Sequence, residues 1–381
     1  MKKVVILQRR MVHYRLALFD DLKVKLLSNG VKLTVIHGQC TKNEQSKDDE
    51  ASLKFAKVRT NTYLNVFGRT LCFIKLKLDD IKGADLVIIP QENSFLINYI
   101  ILLFRMIFGI KNVAFWGHGR NFQAKSNNDF SERFKNYLLH KVHWWFCYTS
   151  ISKKAVVQSG FNESCITDLQ NAIDTNSLTL ALNNITDNDK KKFLNRFNIK
   201  GKELLLYLGS MYPEKEIPFL ISSLKRIKAS KPNVEILWVG SGIDQKLVEE
   251  FCRSVTWSFY AGSLHGKEKA LALSVTKLIL NPGLVGLGVL DSFASKKPLV
   301  SSSCGNHSPE VAYLKSGTNG IMTEKSVEKY TESVVELLNN DELYNKLSEG
   351  CLESAKLYTV ENMSGNFQKG LLKVINSRAH N

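Results

Sequence analysis

Short continuous apolar runs alternate with amphipathic stretches along nearly the whole chain. Runs such as DLVIIP (85–90) and ELLLYLG (203–209) lack polar alternation, which suits strands of a parallel sheet covered on both faces. The pattern predicts strands over Lys3–Gln8, Lys32–His37, Asp85–Pro90, Asn112–Trp116 and His143–Thr149. It predicts five more over Glu203–Gly209, Val234–Gly240, Ser258–Gly262, Lys277–Asn281 and Pro298–Ser302. Strand–helix alternation of this kind predicts α/β domains with doubly wound sheets. The segment NAIDTNSLTLALNNITDNDKKK (171–192) is polar, Asn-rich and poorly periodic, so the break between two domains is expected there. The expected division is 1–174, then 175–355, with 356–381 as a closing helix that returns towards the first domain. Two such domains would leave a cleft between the carboxyl ends of their sheets, where open α/β sheets take ligands.

Length and composition agree with two cores rather than one, since 381 residues at 44% apolar exceed an ordinary single domain. Charge is more informative. The 52 Lys and Arg against 36 Asp and Glu leave a net +16, unevenly spread. Residues 1–150 hold 24 basic and 12 acidic residues, while 151–381 hold 28 and 24. A first half this basic suits an anionic membrane face or nucleic acid. With no aromatic RNA-binding signature, zinc finger or DNA-reading motif, nucleic acid is not expected as a partner. The seven cysteines (Cys40, Cys72, Cys147, Cys165, Cys252, Cys304 and Cys351) are scattered, which argues against a disulfide framework or structural zinc. The apolar run Val4–Leu7 is too short for a signal peptide. FLINYIILLFRMIFG (95–109), broken by Asn98 and Arg105, falls short of the roughly 18–20 residues a spanning helix needs and predicts a buried helix, with membrane-surface contact as the alternative. A cytoplasmic chain, peripheral on the inner face of the membrane, is the expectation.

Two stretches carry chemistry for an anion. In YLGSMYPEKEIPFLISSLKRIK (207–228), apolar positions 217, 220, 221, 224 and 227 trace one helical face, and Pro218 fits only at the start of that helix. Lys215 therefore precedes a helix N-terminus, where free N–H groups already favour negative charge. In NPGLVGLGVLDSFASKKPLV (281–300), Gly286 and Gly288 let the backbone approach a diphosphate, and a helix from Leu287 offers its first N–H groups. Asp291 lies one turn in, within reach of ribose hydroxyls. Asp187-Asn188-Asp189 spells D-x-D, but its place before a Lys-rich helix predicts a cap rather than a metal site. No metal is expected. In the first domain, NVAFWGHGRNF (112–122) sets His118 between two glycines beyond a strand, and RRMVHYR (9–15) brings Arg9, Arg10, His13 and Arg15 to the same sheet edge. These residues suit a phosphate-bearing acceptor, with His118 bonding a sugar hydroxyl.

The second half resembles the donor-binding domain of retaining glycosyltransferases of family 4. It has Gly209-Ser210 where that family shows Gly-Arg, keeps Lys215, and has Asp291 in place of the second of two glutamates. Gly283 stands where the first glutamate falls, so recognition of the donor sugar must come from elsewhere. WVGSG (238–242), FYAGSLHGKEKA (259–270) and SPEVAYLKSGTNGIM (308–322) follow in the family's order. VHYRLALFDDL (12–22), WGHG (116–119) and NAID (171–174) extend the likeness to the first half. The resemblance implies a GT-B fold of two Rossmann-like domains facing each other across a cleft. It implies transfer from a nucleotide-diphosphate sugar to a saccharide or lipid-linked acceptor in bacterial surface polysaccharide synthesis. Its donor-binding residues would be Gly209, Ser210, Lys215, Gly286, Leu287, Gly288, Asp291 and Glu310. Its acceptor-binding residues would be Arg9, Arg10, His13, Arg15, His118 and Arg120, with His118 and Lys215 catalytic and no cofactor beyond the donor. An epimerase-like sugar-nucleotide enzyme on the same fold is the alternative, along with a basic nucleic-acid-binding protein.

Overall fold

The computed structural model describes residues 1–41, 50–119, 140–200, 203–305 and 307–377. The chain divides into two compact units, Met1–Ile173 with Val360–Asn381, and Asp174–Thr359.

The first unit is built on β1 (Lys2–Arg10), β2 (Val31–Gly38), β3 (Lys57–Val58), β6 (Leu86–Pro90), β7 (Asn112–Gly117), β8 (Trp144–Cys147) and β9 (Ile166–Asp168). These strands pair in parallel in the order β3-β2-β1-β6-β7-β8-β9. β1 is central, with Val4 set against Leu33 on one side and Leu86 on the other, and Val4–Leu7 have no solvent exposure. A separate antiparallel hairpin, β4 (Asn61–Val66) and β5 (Arg69–Ile74), turns through Phe67 and Gly68, both at positive φ. The helix Val360–Asn376 returns to this unit. Its Phe367 stacks on Phe146 at 4.6 Å and meets Trp116 edge-on, while Gly370 leaves no room for a Cβ beside Thr167.

The second unit holds β10 (Glu203–Leu208), β11 (Val234–Val239), β12 (Ser258–Tyr260), β13 (Leu278–Leu280), β14 (Leu299–Ser302) and β15 (Gly320–Thr323). Their order is β12-β11-β10-β13-β14-β15, again parallel. Tyr207, Trp238 and Tyr330 fill its core, and the Tyr330 hydroxyl donates to the Val300 carbonyl at 2.9 Å. In both sheets the strand order reverses beside the first strand, between β1 and β6 and between β10 and β13. Such a reversal opens a crevice at the carboxyl ends of those strands.

Two expectations need correction. Residues 171–192 hold the helix Asn176–Asn183, which the sequence does not predict, and the start of the Lys-rich helix Asp187–Arg196, which it does. Each buries a single apolar side chain, Leu178 and Phe193, so neither shows a helical period in sequence. The 95–109 stretch forms only the short helix Ile97–Phe104, which buries Ile97, Asn98 and Ile101. Leu103, Met106 and Ile107 stand exposed, at 76%, 83% and 77%, where a wholly buried helix was expected. Among the described residues no helix is long and apolar enough to cross a membrane.

Candidate functional site

The second sheet's reversal brings the two predicted anion-binding stretches together. After β10, the backbone at Gly209, Ser210 and Met211 is packed under the turn that follows β11. A Cβ on Gly240 would lie 1.9 Å from the Gly209 carbonyl oxygen, and one on Gly242 2.1 Å from that of Met211. Both glycines also have positive φ. Ser210 is exposed at this strand end, and its carbonyl accepts the Tyr207 hydroxyl at 2.8 Å. The chain then makes a single 3-10 turn, Pro213–Lys215, passes through Glu216 in the left-handed region, and enters the helix Ile217–Ser230.

Across the reversal, the turn after β13 lies directly on that segment. Gly283 is the close approach. Its Cβ would fall 2.3 Å from the Glu214 carbonyl oxygen and 2.5 Å from the Lys215 carbonyl carbon, so a side chain is excluded by backbone rather than by a ligand. The Leu284 N–H donates to the Glu214 carbonyl at 2.7 Å, and the buried Lys215 Nζ donates to the Leu284 carbonyl at 2.6 Å. Burial lowers the Lys215 ammonium from 10.5 to about 8, with Cys304 acting in the opposite sense. Gly283 thus makes room for the lysine loop.

Gly286 and Gly288 are different. Nothing lies within 4 Å of a Cβ on Gly288, a Cβ on Gly286 would make only ordinary contacts, and neither has positive φ. Packing within the fold therefore requires glycine at neither position. Leu287 is the N-cap of the helix Gly288–Ser295, so the helix starts one residue later than the sequence predicts. Asp291, in its first turn, accepts from Lys269 Nζ at 2.9 Å. Glu310 is buried in the 3-10 turn Pro309–Tyr313.

His307 and Cys304 belong to the same place, although in the sequence Cys304 stands only as one of seven scattered cysteines. His307 Nδ1 accepts from the Val285 N–H at 3.1 Å, and its Nε2 faces the Ser302 carbonyl at 2.9 Å. Those two bonds require the neutral ring protonated on Nε2, and burial together with the Lys215 charge lowers its pKa despite the Ser302 bond. Cys304 Sγ lies 3.5 Å from Nε2. The signal that could have found the pair is C-G-N-H directly after a predicted strand, on the edge that also carries the glycine turn.

In the first unit, β1 runs two residues past the predicted strand, so Arg9 and Arg10 are its last residues and only His13 and Arg15 follow it; the four do not face one way. Arg9 Nε donates to Glu92 at 3.1 Å, whereas His13 is exposed. Arg15 is buried among the Tyr14, Trp116 and Tyr148 rings. His118 stands just past β7, with its ring 4.5 Å from that of Tyr148. Much of its surface meets solvent, yet desolvation by surrounding protein, with the Arg15 charge second, lowers it from 6.5 to about 4. The shift favours the neutral ring, which can both donate and accept a hydrogen bond. Arg120 lies outside the described residues. Asp187 and Asp189 sit on neither sheet edge. Asp189 closes a capping box with Thr186, and Asp187 pairs with Lys190.

Residues 202–340 match a family model described as glycosyl transferases group 1. No curated protein matches the chain in sequence. In three dimensions it is similar to HepE from Anabaena in complex with UDP, at a TM-score of 0.71 and 14% identity over 98% of this chain and 100% of that one. It is also similar to a glycosyltransferase from Rickettsia africae (TM-score 0.70, 12% identity, 99% of each chain). A UDP-GlcNAc 2-epimerase from Neisseria meningitidis bound to UDP-GlcNAc is a further likeness (TM-score 0.60, 15% identity, 98% of this chain and 100% of that one). The shared architecture is the GT-B fold, with two doubly wound α/β units in one chain.

Proposed function

We propose that the protein is a retaining glycosyltransferase of the family 4 type, which moves a sugar from a nucleoside-diphosphate donor to a saccharide or lipid-linked acceptor. The observation that carries this reading is the convergence of Lys215 and the 281–288 turn at the reversal of the second sheet. That convergence falls inside the segment that matches group 1 glycosyl transferases. HepE and the epimerase, solved with UDP and UDP-GlcNAc, support UDP as the first nucleotide to try.

In this reading the diphosphate lies against Gly209, Ser210 and Lys215, and over the backbone of Gly286, Leu287 and Gly288. Negative charge grows on the departing diphosphate as the sugar bond breaks. A lysine already desolvated in the free protein, together with the first N–H groups of the helix Gly288–Ser295, stabilises that charge more in the transition state than in the ground state. Asp291 accepts from the ribose hydroxyls while Lys269 holds its carboxylate in place. Glu310 takes part in donor binding. The neutral His118 bonds a sugar hydroxyl, and the basic residues at and after the end of β1 (Arg9, Arg10, His13 and Arg15), with Arg120, receive the acceptor. The acceptor hydroxyl gives its proton to a departing phosphate oxygen, so the step balances without a protein base. The basic first half and the exposed Leu103, Met106 and Ile107 support action at an anionic membrane surface in polysaccharide assembly.

A thermal-shift screen with UDP, GDP, ADP, TDP, CMP and their sugars tests the reading. One nucleoside diphosphate and its sugar should raise the melting temperature, and no response to any of them would overturn it. The epimerase is the second reading, favoured by the likeness to the Neisseria enzyme. Incubation with the selected nucleotide sugar separates the two, since an epimerase converts the sugar with the diphosphate still attached, and a transferase releases nucleoside diphosphate when an acceptor is supplied.

A further inference from the structure

Arg15 is a buried cation with little protein to answer its charge. It is 6% exposed, on the 3-10 turn His13–Arg15 that follows β1. Its Nη1 donates to Asn171 Oδ1 at 2.8 Å and lies 4.0 Å from the Met363 sulfur. Among the described residues no carboxylate pairs with it, and neither Nε nor Nη2 has a protein acceptor. The guanidinium has five N–H donors in a planar fork, and a buried arginine is ordinarily paired.

Three aromatic rings lie against it as well. The Arg15 Cζ lies 4.8 Å from the Trp116 ring centre and 5.3 Å from those of Tyr14 and Tyr148. Such rings stabilise a cation weakly and leave its in-plane donors unused. The Trp116 indole belongs to the same cluster. It is 2% exposed, and its Nε1 has no hydrogen-bond partner. The Arg15 fork, with only Nη1 hydrogen-bonded, and the buried, unpartnered Trp116 N–H therefore lie in one cluster at the carboxyl edge of the first sheet, among the described residues. The Arg15 charge also reaches His118, where it acts second to burial in lowering the pKa.

We propose that Arg15 and the Trp116 N–H form an oxyanion-binding site in the first unit, which takes a phosphate or carboxylate group. A fork of N–H donors fits two oxygens of either group, and the aromatic walls exclude water that would weaken the bond. Read with the proposed glycosyl transfer, on which this part rests, the site makes the acceptor an anionic one. The charge is held beside His118, which bonds a sugar hydroxyl.

Titration calorimetry on the full chain tests this with inorganic phosphate and acetate as probes, against chloride at equal ionic strength. Wild type, Arg15→Met, Arg15→Lys and Lys215→Ala are compared, and each is also titrated with UDP. Arg15→Met, which keeps the stem and removes the fork, should bind phosphate about tenfold or more weakly while binding UDP as wild type does. Lys215→Ala should lose UDP and keep the Arg15-dependent phosphate site. Arg15→Lys retains charge without the fork and serves if Arg15→Met does not fold; it should bind phosphate with intermediate affinity. Phosphate binding unchanged in a folded Arg15 variant, or binding that chloride abolishes equally, would overturn the inference. Failure of UDP to bind any variant would count against the glycosyltransferase reading and leave the oxyanion site standing.

Discussion

Lys215 shows how a single residue can be legible in part. Its position before a helix start is plain from the apolar period of 217–227, and Pro218 marks the start. That its ammonium is held by the Leu284 carbonyl is not, because 69 residues separate the partners. Lys269, His307 and Cys304 escaped notice for the same reason, since each becomes part of the site only when β13 and β14 are laid beside β10. The buried charge has a cost that a bound diphosphate removes. Lys215→Ala should therefore abolish transfer while leaving the melting temperature unchanged or raising it, a comparison that scanning calorimetry and a product assay make directly. Below about pH 8 the lysine is protonated both folded and unfolded, and between 8 and 10.5 the unfolded chain holds more of the proton. Stability of the free protein should thus rise with pH across that window. A bound diphosphate raises the lysine pKa again, so UDP affinity should fall above pH 8 with proton uptake on binding, visible as a buffer-dependent heat. Affinity flat from pH 7 to 10 would remove Lys215 from the site. Asp291→Ala should weaken nucleotide binding by about 1.5–3 kcal/mol, the value of a hydrogen bond to a charged group.

The turn 281–288 separates two meanings of glycine within one element. Gly283→Ala sets a methyl group against the Glu214–Lys215 backbone, and overpacking against a main chain that cannot rotate aside costs about 1–3 kcal/mol. Gly283→Glu, which restores the residue of the resembled family, should lower the melting temperature further and should not increase activity. Gly286→Ala and Gly288→Ala meet no such neighbour, so they should melt close to the wild-type temperature and yet bind nucleotide less tightly. Equal stability and equal affinity across all of these variants would mean that the turn touches no ligand. The sequence pattern carried the two parallel sheets because their strands are continuous apolar runs. It missed β3 and β9, which at two and three residues are too short to show a period. It missed the β4–β5 hairpin because that element is largely exposed, and Gly68 after Phe67 was the one turn signal available. β15 lay inside a stretch read only as a family landmark. The helix Asn176–Asn183 shows no period in the sequence because it docks by one side chain. Of the D-x-D there, Asp189 is occupied as a cap, so Thr186→Ala should cost roughly 1 kcal/mol of stability without affecting turnover. Turnover should also survive excess EDTA, and loss on chelation that manganese or magnesium restores would bring these aspartates back as metal ligands.

At the scale of the whole molecule, the charge is lopsided in the chain and an apolar patch accompanies the basic half. Residues 1–150 have 24 basic against 12 acidic residues, and the first unit exposes Leu103 in the last turn of the helix Ile97–Phe104 and Met106 and Ile107 just beyond it. Arg105 lies within that patch and Lys111 close after it, so apolar side chains and positive charge occur together as a bilayer surface with anionic headgroups requires. The full chain should accordingly co-sediment with vesicles containing anionic lipid and leave neutral vesicles largely unbound. Each basic residue near the surface contributes about 1 kcal/mol, and that attraction decays within a Debye length of about 10 Å at 0.1 M salt. Binding should fall steeply as salt rises for this reason. The triple variant Leu103→Ser, Met106→Ser, Ile107→Ser tests the apolar part. These side chains are more than three-quarters exposed, so the melting temperature should not fall, while vesicle binding at moderate salt should drop. Equal binding to neutral and anionic vesicles, abolished by the triple variant, would assign docking to insertion alone. Binding that persists in the triple variant and vanishes with salt would assign it to charge. If neither vesicle recruits the protein, the physical case for a lipid-linked acceptor fails. A soluble anionic saccharide would then be the acceptor to test, with the nucleotide site of the second unit unaffected by that result.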